Sequence, residues 1–133
     1  MGRTRGRRSQ PEHVEQSLLL SWAELASTRT PELGLLFAIP NGGHRDIRTA
    51  VKLKREGVKR GVPDLMLPIP RGPHHGLFLE MKAGPTSRVQ HEQLVWHTAL
   101  RAQGYAVRVA YGWESAKVAI ENYLALTTSE AAA

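Results

Sequence analysis

The chain has 133 residues and not one cysteine. Disulfides and thiolate metal centres are thereby excluded, and the compartment is left open on this ground. No apolar run approaches the length needed to cross a bilayer. No apolar segment follows the basic start, as a secretory signal would require. Internal repeats and linker-like stretches are also missing, so the chain reads as one domain with a real core, too short for two. The histidines lack ligand spacing: His91 and His97 lie six apart and share a helix face poorly, His74 and His75 fall on a turn, and His13 and His44 stand alone. A histidine zinc site is not expected.

Acid is missing from the first eight residues, which hold Arg3, Arg5, Arg7 and Arg8. The remainder carries fourteen basic against twelve acidic side chains and is nearly neutral, although the whole chain is at +6. With nothing to bury, residues 1–8 are expected to be a disordered basic tail. It either touches nucleic acid or merely solubilises the chain. The folded domain is expected over 9–126, with a frayed tail over 127–133.

Hydrophobic periodicity predicts helix, strand, helix, strand, strand, helix, strand, helix. The first helix starts at a capping box of Ser9 and Glu12, with Val14, Leu18, Trp22 and Leu25, joined by Leu19 and Ala26, on its apolar face. Leu35 to Ile39 is a short buried strand ending in the turn Pro40-Asn41-Gly42-Gly43. Arg45 to Glu56 is a helix with a basic stripe, Arg45, Arg48, Lys52 and Arg55, and Gly57 closes it. A further capping box at Ser87 and Gln90 opens a helix with Val89, Leu94, Trp96, Ala99 and Leu100 as its apolar residues. A strand over Tyr105 to Tyr111 and a helix over Glu114 to Leu126 complete the chain. The fold class is α/β, with a small mixed central sheet flanked by helices. Trp22, Trp96 and Trp113 fit either a core or an interface.

The chemistry lies in the centre. Asp64 to Ile69 and Gly76 to Lys82 are apolar runs separated by Pro70-Arg71-Gly72-Pro73-His74-His75, which is a β-hairpin by pattern. Side chains alternate along a strand, so Phe78, Glu80 and Lys82 share one face while Leu77, Leu79 and Met81 share the other. A carboxylate on a largely apolar strand is costly unless paired or metal-bound. Asp64, heading the partner strand, falls close to Glu80, and a hard divalent cation relieves two adjoining carboxylates. A lysine beside them could orient a water or stabilise negative charge on a phosphate. The plainer alternative is a surface ion pair of Glu80 with Lys82 and a simple Pro-Asp turn.

Gly61-Val62-Pro63-Asp64 followed by Glu80-Met81-Lys82 resembles the PD-(D/E)xK nuclease superfamily. More narrowly, the chain resembles the VRR-NUC domain, the virus-type replication-repair nuclease. The supporting stretches are Ile39 to Gly43, Lys54 to Leu65, Leu79 to Lys82, Gln90, and Gly104-Tyr105, spread from Glu12 to Leu124. This resemblance implies a restriction-endonuclease-like core and Mg²⁺- or Mn²⁺-dependent hydrolysis of DNA phosphodiesters. It implies Asp64, Glu80, Lys82 and Gln90 as catalytic residues, and Glu12, Asp64, Glu80 and the Met81 carbonyl as metal ligands, with Glu15 in reserve for Glu12. Asn41, Arg45, Lys59 and Arg60 are the expected DNA contacts, although turn chemistry alone accounts for Asn41 and a solvated face for the arginines. Small stand-alone members are similar to phage-encoded proteins that act as homodimers on branched DNA such as four-way (Holliday) junctions. That implies a bacterial or phage-infected cytoplasm and no membrane partner. Two rivals stay open: a catalytically silent DNA-binding module, and an interaction domain whose acids are surface ion pairs.

Overall fold

Alternation along the Leu77-to-Lys82 segment has a direct structural consequence: both of its faces must be covered. A computed structural model describes residues 11–40 and 46–127 of the chain and shows how this is done. The elements in order are α1 (Glu12–Ala26), a 3₁₀ turn (Pro31–Leu35), β1 (Phe37–Ala38), α2 (Ile47–Arg55), β2 (Leu65–Leu67), β3 (Leu77–Lys82), α3 (His91–Ala102), β4 (Ala106–Tyr111) and α4 (Trp113–Leu124). The sheet runs β1-β2-β3-β4. The pairs β1/β2 and β2/β3 are antiparallel, and β3/β4 is parallel. The expected hairpin is β2 and β3, and a helix, α3, carries the chain between the parallel strands, as that geometry requires.

Every residue of β3 is buried. Its Leu77, Leu79 and Met81 side chains join Leu19 and Ala23 of α1 and Ala116, Ile120 and Tyr123 of α4 in the main core. On the other face Phe78 meets the Tyr105 ring edge-on at 5.2 Å, while Glu80 and Lys82 reach side chains of α3. The sheet thus lies between α1 and α4 on one side and α3 on the other, the arrangement that suits a parallel strand pair.

Several local expectations are corrected. The N-cap of α1 is Pro11, without a side-chain cap, so Glu12 is the first helical residue and not part of a capping box. The buried side of α1 is centred on Leu19 and Ala23, whereas Leu18 and Leu25 are exposed. The strand expected to be buried over Leu35 to Ile39 is a two-residue edge strand, β1, with both residues exposed. The preceding Pro31–Leu35 segment coils instead, because Pro31 fixes the φ of a turn start. The N-cap of α3 is Gln90 and its N3 residue is Gln93, three positions beyond the expected box. Leu94 and Val95 of that helix face solvent, and its one buried residue is His97. The basic tail and most of the second turn lie outside the described residues.

The α2 helix starts from Asp46, whose carboxylate accepts the Thr49 N–H at 2.7 Å. No residue of α2 is buried. The chain then returns to the sheet through Gly61, which has φ +89° and lies so close to the first turn of α3 that a Cβ there would stand 2.8 Å from the Glu92 carbonyl carbon and oxygen. Only glycine combines that backbone conformation with that approach. Gly61→Ala is therefore expected to lower unfolding free energy by about 1–3 kcal/mol, measured by urea denaturation. An unchanged midpoint would show that the loop relaxes away from α3.

Candidate functional site

The site is built by the end of β3 and the start of β2. Leu65 pairs with Leu79, and continuing that register sets Asp64 opposite Glu80 and Pro63 opposite Met81. The β3 backbone bonds alternately to its two neighbours. The Gly76 carbonyl accepts from Ala106 N–H, and the Lys82 carbonyl accepts from Gly112 N–H, both at 2.9 Å. Even-numbered residues thus bond toward β4, and the odd-numbered Met81 turns its amide and carbonyl toward β2. There its N–H donates to Asp64 Oδ2 at 2.7 Å. Pro63 has no N–H, so the residue opposite cannot claim the Met81 carbonyl. The Pro-Asp pair has a structural meaning here: the proline ends the ladder and the aspartate replaces it with a carboxylate.

Glu80 lies on the α3 side of the sheet with its side chain 1% exposed. Its pKa is raised to about 9, first by burial, then by hydrogen bonding with Asp64 and by the Asp64 charge; Lys82 opposes this and the Glu12 charge adds to it. His97 Nε2 is 3.1 Å from Glu80 Oε1, and the imidazole is 2% exposed. Burial, followed by the charges of Arg101 and Lys82, holds the His97 pKa below its usual range. Lys82 Nζ donates to Gln93 Oε1 at 2.9 Å, and the same oxygen accepts the Gln90 N–H at 2.8 Å. A single glutamine side chain therefore ties the lysine to the N-terminus of α3. Among the described residues no buried side-chain nitrogen or oxygen lacks a partner.

The structure brings Asp64, Glu80, Met81 and Lys82 together as the sequence suggests. Glu12, at the first turn of α1, is near enough for its charge to act on Glu80. Glu15 is turned elsewhere: its Oε2 accepts the Trp113 N–H at 2.8 Å, an anion at the positive end of α4. Gln90 is the exposed N-cap of α3, and the side chain that Lys82 Nζ bonds to is that of Gln93, which also accepts the Gln90 N–H. Lys59 and Arg60 are exposed and line a groove with Ile47, Val51 and Lys54 of α2. Arg60 makes a solvated contact with Glu92 at 3.9 Å. Asn41 and Arg45 lie outside the described residues. Sequence reasoning missed Gln93 and His97. The available signal was the spacing of Gln90, Gln93 and His97, which puts three polar residues along one side of a helix.

The donors at this end of the sheet are all oxygen: the Asp64 and Glu80 carboxylates and the Met81 carbonyl. Among the described residues no three His, Cys, Asp or Glu side chains converge to form a ready cage. The donor set fits a hard cation that keeps several waters, and it does not fit a soft one. Burial and the adjoining Asp64 keep a proton on Glu80, and a dication could take that proton's place.

A four-stranded mixed sheet with helices on both faces, carrying Asp, Glu and Lys at one strand end, defines a restriction-endonuclease-like α/β domain of nuclease type. The family profile described as the VRR-NUC domain matches residues 5–114, and the chain belongs to the VRR-NUC family. A solved structure described as a VRR_NUC domain protein superposes with a TM-score of 0.76 at 29% identity, covering 91% of this chain and 93% of that one. A second, described as a VRR_NUC domain, has a TM-score of 0.50 at 24% identity over 82% and 97% of the two chains, and shows the shared fold. No curated protein matches the chain.

The raised Glu80 pKa has a defined sign. Below the ordinary value of 4.5 both folded and unfolded chains hold the proton; between 4.5 and about 9 only the folded chain does. Stability contributed by this group therefore falls as pH rises through that window. In EDTA, the melting temperature of Glu80→Gln minus that of the unsubstituted protein is expected to increase steadily from pH 5 toward pH 9. A difference independent of pH would contradict burial of Glu80 against Asp64.

Proposed function

We propose that this VRR-NUC domain is a divalent-metal-dependent endodeoxyribonuclease that hydrolyses phosphodiester bonds. The observation that carries the proposal is the juxtaposition of the Asp64 and Glu80 carboxylates, with Lys82 on the same face as Glu80 and tethered by Gln93. Mg²⁺ or Mn²⁺ would be held by Asp64, Glu80 and the Met81 carbonyl, with Glu12 contributing negative charge from α1. When bound, such an ion supplies Lewis-acid stabilisation of the phosphate. Lys82 holds its ammonium beside the scissile group, where it orients the attacking water or offsets the charge that develops in the transition state. The tether to Gln93 fixes that ammonium in advance, so little reorganisation is needed during reaction. Asp64 fixes its own orientation through the Met81 amide. Lys59 and Arg60, with the basic residues of α2, track the DNA backbone from the exposed side.

The substrate in this reading is branched DNA, such as a four-way junction, cut by a homodimer in the cytoplasm of a bacterial or phage-infected cell. A two-fold axis presents two equivalent sites and suits paired nicks. The exposed apolar residues of α2, Ile47 and Val51, are consistent with contact to a second copy. Light scattering at micromolar concentration tests the dimer, and a monomer would remove that part of the proposal.

The decisive assay uses labelled junction, linear duplex and single strand in Mg²⁺, Mn²⁺ and EDTA. Asp64→Asn and Lys82→Ala are each expected to lose more than about a hundredfold in cleavage rate while keeping a cooperative melt. Full cleavage by Asp64→Asn would reject the proposed chemistry. Metal-independent DNA binding without cutting would instead identify a silent binding module.

A further inference from the structure

The catalytic reading leaves His97 without a role. It is the one buried residue of α3. A histidine on the inner face of an amphipathic helix displaces an apolar side chain that would pack there at no polar cost. Its Nε2 lies 3.1 Å from Glu80 Oε1, and neither side chain reaches solvent appreciably.

A glutamate side chain has three rotatable bonds, and its carboxylate is free to turn about the last of them. Glu80 must present an oxygen toward Asp64 if the two are to hold one cation. Once a cation replaces its proton, the Glu80 carboxylate only accepts hydrogen bonds, and His97 Nε2, 3.1 Å away, is placed to meet it with an N–H. His97 Nε2 meets Oε1 of Glu80 from the α3 side, and the same carboxyl group is hydrogen-bonded to Asp64. The same helix supplies Gln93, one turn earlier, to hold Lys82. One face of α3 therefore supports both Glu80 and Lys82, in successive turns.

We propose that His97 is a positioning residue for the cation site: its Nε2–H fixes the Glu80 carboxylate in the orientation that completes a divalent-metal site with Asp64. This rests on the metal-dependent reading above. Outer partners of metal ligands commonly contribute about 10–100-fold to metal affinity, and His97 is expected to fall in that range.

The test measures Mn²⁺ affinity directly, from the electron paramagnetic resonance signal of free Mn²⁺, with the full chain and without DNA. The variants are His97→Leu, which fills space without a donor; His97→Gln, whose amide reaches the place of Nε2; and His97→Asn, which is polar but too short. A thermal melt in EDTA accompanies each. His97→Leu and His97→Asn are expected to bind Mn²⁺ about 10–100-fold more weakly than the unsubstituted protein, and His97→Gln to recover most of the loss. Equal Mn²⁺ affinity in folded His97→Leu or His97→Asn would overturn the inference alone. Equal losses in Gln and Asn would also overturn it, because they would indicate packing and not a placed donor. No Mn²⁺ uptake by the unsubstituted protein would overturn the metal-dependent reading itself, and this inference with it. Should His97→Leu fail to fold, the Gln and Asn pair decides.

Discussion

Two carboxylates placed side by side inside a small protein set the terms for everything around them. Asp64 and Glu80 adjoin where the β2/β3 ladder stops, and the pairing is tolerable because Glu80 keeps its proton to about pH 9. Keeping that pair in place requires β3 to be covered on both faces. It requires a donor for each remaining oxygen and a rigid helix to carry the donors. The Met81 amide meets Asp64 and His97 meets Glu80, while Gln93 of the same helix accepts from the neighbouring Lys82. The same constraint explains why the buried side of α3 is polar: a fully apolar helix would remove the His97 partner of Glu80 and the Gln93 partner of Lys82, at a greater cost than the apolar burial gained.

The division of labour between the two sheet faces follows. The α1/α4 side is an ordinary apolar core, and its energetics depend on area removed from water. The α3 side gives up part of that gain for hydrogen bonds that fix side chains in one geometry. Glu15 ties α1 to α4 within the apolar side. By accepting the Trp113 amide at the start of α4, it fixes the rotation of α1, and Glu12 is carried one turn earlier on the same helix.

What the sequence discloses divides along the same line. The hairpin, the alternation of Phe78, Glu80 and Lys82 against Leu77, Leu79 and Met81, and the apolar side of α4 were all legible because they depend on local period. Asp64, Glu80 and Lys82 were legible because alternation put Glu80 and Lys82 on one face and because the segments resemble the PD-(D/E)xK pattern; the alternation alone left a surface ion pair and a simple turn open. The N-terminus of α3 was not, because Ser87 and Gln90 fit a capping box as well as Gln90 and Gln93 do, and only the meeting of Gln93 with Lys82 selects between them. His97 escaped for a related reason. Hydrophobic periodicity assigns Leu94 to the inside and a histidine to the outside, and only the acid across the interface reverses that preference. The rotation of α1 was similarly set by tertiary contact, since Leu18 and Leu19 are equally apolar and only one can face Ala116 and Ile120.

The α2 helix stands outside this economy. It is held by its own Asp46 cap and closed by Gly57, and it buries none of its residues. Its sequence is therefore under little obligation to the core. Substitutions along it can accumulate without lowering the stability of the sheet, whereas the residues around β3 cannot change singly. Within one short chain, the candidate site is confined to the part most constrained by packing. The surface beside it can change in charge and shape without disturbing the sheet.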